Sequence, residues 1–315
     1  MKKALISTAA AIAVAAAASS AHAQQTINIL TGGTSGVYFS LGVAVGKIYS
    51  NQIPGAKVLI QSTKASVENL DLVDQVRGEL AFTLGDSLKA AVDGDETAGF
   101  KSRLSKLRTI GAIYPSYIQI VATGNSGIKT LADLKGKSLS LGARKSGTEL
   151  NARAILKAAG IEEKDLGRVE YQSFAESIEA MKSGKLDATL QSAGLGVASV
   201  KGLSEVDRIV LVEIPKNVAE QLGPPFMPAT IPANTYFGQE KDTPSVAMMN
   251  YLVTSAAVSD DLAYRMTKSV FESLPQLAIA QDAGKNIRLE NAATGSPAPL
   301  HPGAIKFYKE KGLIK

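Results

Sequence analysis

The chain has 315 residues, 45% hydrophobic and 20% charged, with a formal net charge of +5, two histidines and no cysteine. The missing cysteine excludes thiolate metal sites, cysteine nucleophiles and disulfides, so the fold must rest on a hydrophobic core, for which this length is ample. Basic residues are scattered among acids, without an Arg/Lys stripe interleaved with aromatics, and no nucleic-acid partner is expected.

Lys2 and Lys3, an apolar run from Ala4 to Ala18 and the small residues Ser19 to Ala23 have the three parts of a secretory signal peptide. Cleavage after Ala23 and a periplasmic location are expected, since the run is shorter than the about 20 apolar residues of a permanent anchor. Cleavage removes His22 and leaves His301 as the single histidine, read here as a residue of a surface loop. Neither a Ser-His-Asp triad nor a multi-histidine metal site then has an origin, and no H-E-x-x-H, G-x-S-x-G or P-loop motif occurs. No enzyme activity, metal or cofactor is expected.

Leu30 to Tyr38, with glycines at 32, 33 and 36 around Thr34 and Ser35, closes an apolar strand and opens a helix. Glycines there permit unusual φ values and close approach of a ligand, and the first N–H groups of the helix make an anion site. The same residues also fit an ordinary strand-to-helix connection. The helix continues through apolar positions 37, 41, 45 and 48. A strand at 57–61 leads through Lys64 to a helix from 67, for which Ser66 is a hydroxyl cap and Gly78 the stop. A third strand, 80–84, meets Gly85, Asp86 and Ser87 and another helix. Strand–helix three times is the pattern of a parallel sheet covered by helices, with ligands outside the strands' carboxyl ends. Lys64 is read either as solvated or as the cation that meets an anion there.

Residues 107–114 and 117–122 read as two β-rich stretches broken by Pro115, crossing to a second lobe with Tyr114 at the crossing. A short helix at 128–136 and a strand at 137–141 lead to Gly142, Arg144, Lys145 and the Ser146-Gly147-Thr148 turn, which feeds a helix to Ala159. Ser146 or Thr148 serves either as a structural cap or as the second jaw on a ligand. A strand at 169–172, a helix at 175–182 and a strand at 186–190 precede Gln191, Ala193 and Gly194. After a strand at 209–213, proline density from 224 to 244 predicts irregular chain. Residues 251–257 are a return crossing or a buried helix, 260–271 a helix capped at Ser259, and the tail before Pro302 wraps back on the first lobe.

Ile29 to Tyr38, Ser66 to Leu70, Gly78 to Phe82, Leu131 to Lys137, Ser146 to Thr148 and Leu186 to Ala188 resemble the extracytoplasmic solute receptors of the TAXI branch of TRAP transporters. The resemblance implies an α/β, two-lobed type II periplasmic-binding-protein fold, each lobe a mainly parallel sheet with flanking helices, joined by crossing strands. Residues 24–113 with 250–315 would form lobe 1 and 114–249 lobe 2. It further implies a monomer that closes on a small carboxylate ligand and delivers it to TRAP transporter membrane subunits. Carried over, Gly33, Thr34, Ser35, Gly36 and Tyr38 hold the ligand from the first lobe. Ser146, Gly147 and Thr148 close over it, with Tyr114 at the hinge and Gln191, Ala193 and Gly194 at the wall. Lys64, Asp86 and Arg144 depart from the family pattern, and arginine grips a carboxylate bidentately. A dicarboxylate or oxo-acid is therefore expected ahead of glutamate. An ATP-driven importer or a sensor is the alternative client, and an enzyme using Asp86 or Glu149 as base the more distant one.

Overall fold

A computed structural model describes residues 25–315; the signal-peptide expectation falls outside the described residues. The chain opens with β1 (Gln25–Leu30), α1 (Val37–Gln52), β2 (Ala56–Gln61), α2 (Ser66–Asp74), β3 (Leu80–Leu84) and α3 (Gly85–Asp93). β4 (Leu107–Thr123) is followed by β5 (Ser138–Ser140), α4 (Gly147–Ala158), β6 (Arg168–Glu170), α5 (Phe174–Lys182) and β7 (Ala188–Ala193). Next come α6 (Ala198–Ser204), β8 (Ile209–Val212), α7 (Lys216–Leu222), β9 (Met227–Ile231) and β10 (Thr243–Ser255). The chain closes with α8 (Asp260–Phe271), α9 (Leu274–Ala280) and α10 (Pro302–Glu310).

The strands form one mixed sheet in the order β2-β1-β3-β10-β4-β7-β5-β6, with β8 on β4 and β9 on β10. The outer trios pair in parallel, as strand–helix repeats require, while the long β4 and β10 run antiparallel through the middle and join the two halves. α1 shows how the first half is covered. Val37, Leu41, Val45 and Ile48 are buried on one face, each contributing roughly 1.5–3 kcal/mol. Gly42 and Gly46 let the helix approach the sheet: a Cβ at 42 would stand 2.4 Å from the Thr31 methyl and one at 46 2.7 Å from Ile60.

Pro115 does not break the crossing strand. It lies within β4 where pairing with β7 has not begun, and the register with β10 slips, Met249 facing Pro115 but Tyr251 facing Ala112. This bulge absorbs the missing N–H and frees a carbonyl, that of Tyr114, which accepts a 2.7 Å hydrogen bond from the Asn250 amide. β10 begins at Thr243, well before the expected crossing, and the proline-rich stretch contains β9, its antiparallel partner. Pro228 fits because β9 is paired on one side alone, and Pro244 because β10 has not yet met β4 there.

Ser66 is not the cap of α2; it lies inside the helix and its hydroxyl accepts from the Leu84 N–H at 3.1 Å. Gly78 is not the stop either. Val76 takes the left-handed conformation, φ 58°, and Gly78 instead leaves room for Leu30, whose side chain would lie 2.6 Å from a Cβ. His301 is buried, not on a surface loop: Nδ1 accepts from the Gly303 N–H at 3.1 Å, which leaves Nε2–H for the Val258 carbonyl at 3.0 Å, and the side chain caps α10. Burial lowers its pKa. The tail returns to β4 as expected, with the Thr109 N–H donating to Pro299 O and the Tyr308 hydroxyl to Ile110 O, both at 2.8 Å.

A β-branched residue in the left-handed region costs about 1–2 kcal/mol. Val76→Gly should therefore raise the unfolding free energy by about 1 kcal/mol, measured by chemical denaturation.

Candidate functional site

Parallel strands deliver their helices from one edge, and here the edges of both halves face a common cavity of about 440 Å³. Its lining includes the starts of four helices: Gly36 to Tyr38 of α1, Ala65 and Ser66 of α2, Ser146 to Thr148 of α4, and Ser173 and Phe174 of α5. First-turn N–H groups lack intrahelical acceptors and make each of these ends electropositive. α4 and α5 are capped by the hydroxyls of Ser146 and Ser173, at 3.1 and 3.3 Å, whereas α1 and α2 have no side-chain cap. The starts of α1 and α2 thus keep first-turn donors without a side-chain cap, although the Glu68 N–H of α2 reaches a backbone carbonyl of the other half.

Tyr38 forms one wall, stacked on Phe82 at 5.2 Å between ring centroids. Its hydroxyl donates to Asn250 Oδ1 at 2.5 Å, while Asn250 Nδ2 also donates to Ser116 Oγ at 2.9 Å. Burial drives the Tyr38 hydroxyl far above its usual pKa, so it stays protonated. Tyr114 also lines the cavity; it is buried and its hydroxyl makes no hydrogen bond among the described residues.

Of the residues singled out in the sequence, Gly33, Gly36, Tyr38, Lys64, Tyr114, Arg144, Ser146, Gly147, Thr148 and Ala193 come together in the lining. Thr34, Ser35, Asp86, Gln191 and Gly194 do not. Thr34 and Ser35 occupy the tip of a turn closed by the Gly36 N–H on Gly33 O at 3.0 Å. None of the three glycines of that turn has positive φ, contrary to the expected reason for them. The unusual backbone belongs to Ala65, φ 77° and ψ −143°, and to Lys145, φ 63°, strained positions of the kind that cluster at ligand sites.

Lys64 and Arg144 are exposed, and neither forms an ion pair among the described residues. The Arg144 guanidinium instead lies 3.6 Å from the centre of the Tyr171 ring, a cation–π contact. Asp86 faces a partner across the sheet halves: it accepts from Asn151 Nδ2 at 2.5 Å, and Asn151 Oδ1 accepts from Ser192 Oγ at 2.7 Å. Burial pushes the Asp86 carboxyl up to about 6. Gln191 is fully buried, its Oε1 held by Ser199 at 2.6 Å, and the Gly194 carbonyl accepts from Gln119.

The halves also meet directly. The Glu68 N–H donates to Lys145 O at 3.1 Å and Lys145 Nζ lies 3.6 Å from Asp71. Gly147 is pressed so close that a Cβ there would stand 2.6 Å from Leu84 and 2.8 Å from Ser66 Oγ. Sequence reasoning passed over Leu84, Tyr171, Phe174, Asn151 and Asn250. Ser173 and Glu176 form a complete capping box, a spacing that marks the start of α5 and so would have found Phe174; nothing local marks Asn250.

Asn250→Ala removes a buried amide making three hydrogen bonds and should cost about 2–4 kcal/mol of stability, against about 1 kcal/mol for Tyr38→Phe, by denaturant titration. Asp86 gives a pH signature. The native carboxyl keeps its proton up to about pH 6, whereas the unfolded chain releases it near 3.8, so its contribution is full at low pH and falls as pH rises between these values. Asp86→Asn cannot ionise, so its melting temperature should gain on that of the unaltered protein from pH 4 to pH 7 in scanning calorimetry.

Among solved structures, the chain resembles PhnD1 from Prochlorococcus marinus (MIT 9301) in complex with methylphosphonate, with 12% identity, 92% of this chain and 100% of that chain covered, and a TM-score of 0.60. It resembles the periplasmic binding protein BugD at 10% identity, with 91% and 98% covered and a TM-score of 0.59. The alkanesulfonate-binding protein SsuA from Xanthomonas axonopodis pv. citri bound to MOPS matches at 16% identity, with 92% and 94% covered and a TM-score of 0.51. The likeness is one of fold, the two-lobed α/β architecture of periplasmic binding proteins. Residues 29–312 match the model of the NMT1-like family, and to that family the chain belongs.

Proposed function

We propose that the protein is a periplasmic solute receptor, not an enzyme, that captures a small organic anion between two lobes and hands it to a membrane transporter. The observation that carries this is the cavity between the sheet halves, ringed by four helix starts and roofed by Gly147 packed against Ser66 and Leu84. Ligand contacts contributed from both sides are completed only on closure, so ligand shifts the population towards the closed form. The lobes run from 24 to 113 with 250 to 315, and from 114 to 249, the protein acting as a monomer. Uncapped N–H groups at α1 and α2 take the anionic group, a carboxylate, with Tyr38, Ser146 and Thr148 around it.

The membrane partner is an ATP-driven importer. Support comes from fold neighbours named for such systems, among them a putative L-cystine ABC transporter from Listeria monocytogenes, 13% identical over 85% of this chain with a TM-score of 0.51. A TRAP partner is the second reading, favoured by the Thr31 to Tyr38 and Ser146 to Thr148 motifs. Transport into vesicles carrying the neighbouring membrane genes separates them: uptake needs ATP in the first case and a sodium gradient in the second.

A thermal-shift screen of carboxylates, sulfonates and phosphonates tests the receptor reading, because a ligand bound only by the folded state raises the melting temperature by mass action. At least one class is expected to raise it by several degrees. Gly147→Ala wedges the halves apart and should lower affinity for that ligand at least tenfold in calorimetric titration, leaving the ligand-free melting temperature near its original value. No shift from any anion would defeat the reading.

A further inference from the structure

We infer that Lys145 is a clasp between the two halves: its carbonyl caps α2 of the opposite half and its ammonium grips the same helix, so that closure is held by contacts outside the ligand cavity. This rests on the two-lobed receptor reading above and deepens it by naming a positioning residue for closure. Lys145 and its partners Glu68 and Asp71 all lie outside the cavity lining.

Helix α2 has a need that it does not meet itself. Its backbone ladder begins with the Asn69 N–H on Ala65 O at 2.9 Å, which leaves the Glu68 N–H in the first turn without an intrahelical acceptor. No side chain caps the helix. The Glu68 N–H donates instead to Lys145 O, 3.1 Å away across the halves. Lys145 presents that carbonyl from the left-handed region, φ 63°, a conformation that persists in a residue with a Cβ where its surroundings over-determine it. They do so here, since the Lys145 N–H is also held, by Glu149 Oε2 at 2.7 Å.

The side chain adds charge to this cap. Asp71, one turn further along α2, stands 3.6 Å from Lys145 Nζ, and that is its one ion pair among the described residues. The other acids of the helix are engaged within their own half: Glu68 Oε2 accepts from the Lys64 N–H at 2.6 Å and Asp74 Oδ1 from the Lys106 N–H at 2.9 Å. No basic residue lies in α2, so the cation that offsets its acids at Asp71 comes from the opposite half. Opening of the halves breaks cap and ion pair together. The Glu68 N–H then loses its acceptor, whereas amides deeper in α2 keep theirs within the helix.

The test is amide hydrogen exchange by NMR on the mature protein, freed of any co-purified ligand by unfolding and refolding. The Glu68 amide is compared with those of Leu70 and Val73 in the interior of α2. Glu68 is expected to be protected with no ligand added. Asp71→Lys sets two cations against each other and should lower that protection by about threefold, the range of a solvent-exposed pair, leaving Leu70 and Val73 unchanged. Adding Lys145→Asp to Asp71→Lys exchanges the charges, and aspartate tolerates the left-handed conformation, so protection at Glu68 should return. An unprotected Glu68 amide, a loss shared equally by Leu70 and Val73, or no recovery in the exchanged pair overturns the inference. Each of these leaves the receptor reading standing, because that reading falls on the separate failure of every anion to shift the melting temperature.

Discussion

The amide of Asn250 holds together features that are far apart in the chain. It sits where β10 passes the bulge in β4, satisfies the carbonyl that the bulge releases, and receives the hydroxyl of Tyr38 from the start of α1. A bulge in the middle of a sheet ordinarily leaves backbone groups without partners, and burial makes that expensive. Here one side chain settles the account and, in doing so, ties the crossing strands to a wall of the cavity. The junction of the crossing strands and the position of Tyr38 are therefore tied through one side chain.

From that constraint follows the electrostatic character of the cavity. Each half is built of parallel strands whose helices start at the same edge, and the crossing strands turn those edges towards each other. Four helix starts then share a small volume, two of them without a side-chain cap. Backbone donors differ from lysine or arginine in being rigid and in needing no counter-ion when empty.

Local patterns made the strand–helix alternation, the cap at Ser259 and the turn at Ser146 legible in the sequence, because each depends on neighbours within a few residues. Pro115 shows the limit. Read locally it ends a strand; in the sheet it falls beside a stretch where one partner is absent and the other is out of register. Val76 likewise stops a helix that a glycine two positions later was expected to stop, since tertiary packing of Leu30 had already claimed Gly78. Polar residues beside the cavity proved hardest to place. Thr34 and Ser35 have suitable hydroxyls but stand at the tip of a turn outside the lining, and Asp86 is drawn to Asn151, sixty-five residues on, a pairing with no trace in local sequence.

The return of the tail to β4 bears on the order in which the molecule is made. Ala304, Phe307 and Tyr308 are buried among the residues of the first half, and Tyr308 reaches a carbonyl 198 residues earlier in the chain. Closing so long a loop is slow, because chain entropy is lost before any contact repays it. The core of the first half is thus incomplete until residues 304–308 have been synthesised, however early β1 to β3 emerge. The first half therefore reaches its native packing only after the whole of the second has been made.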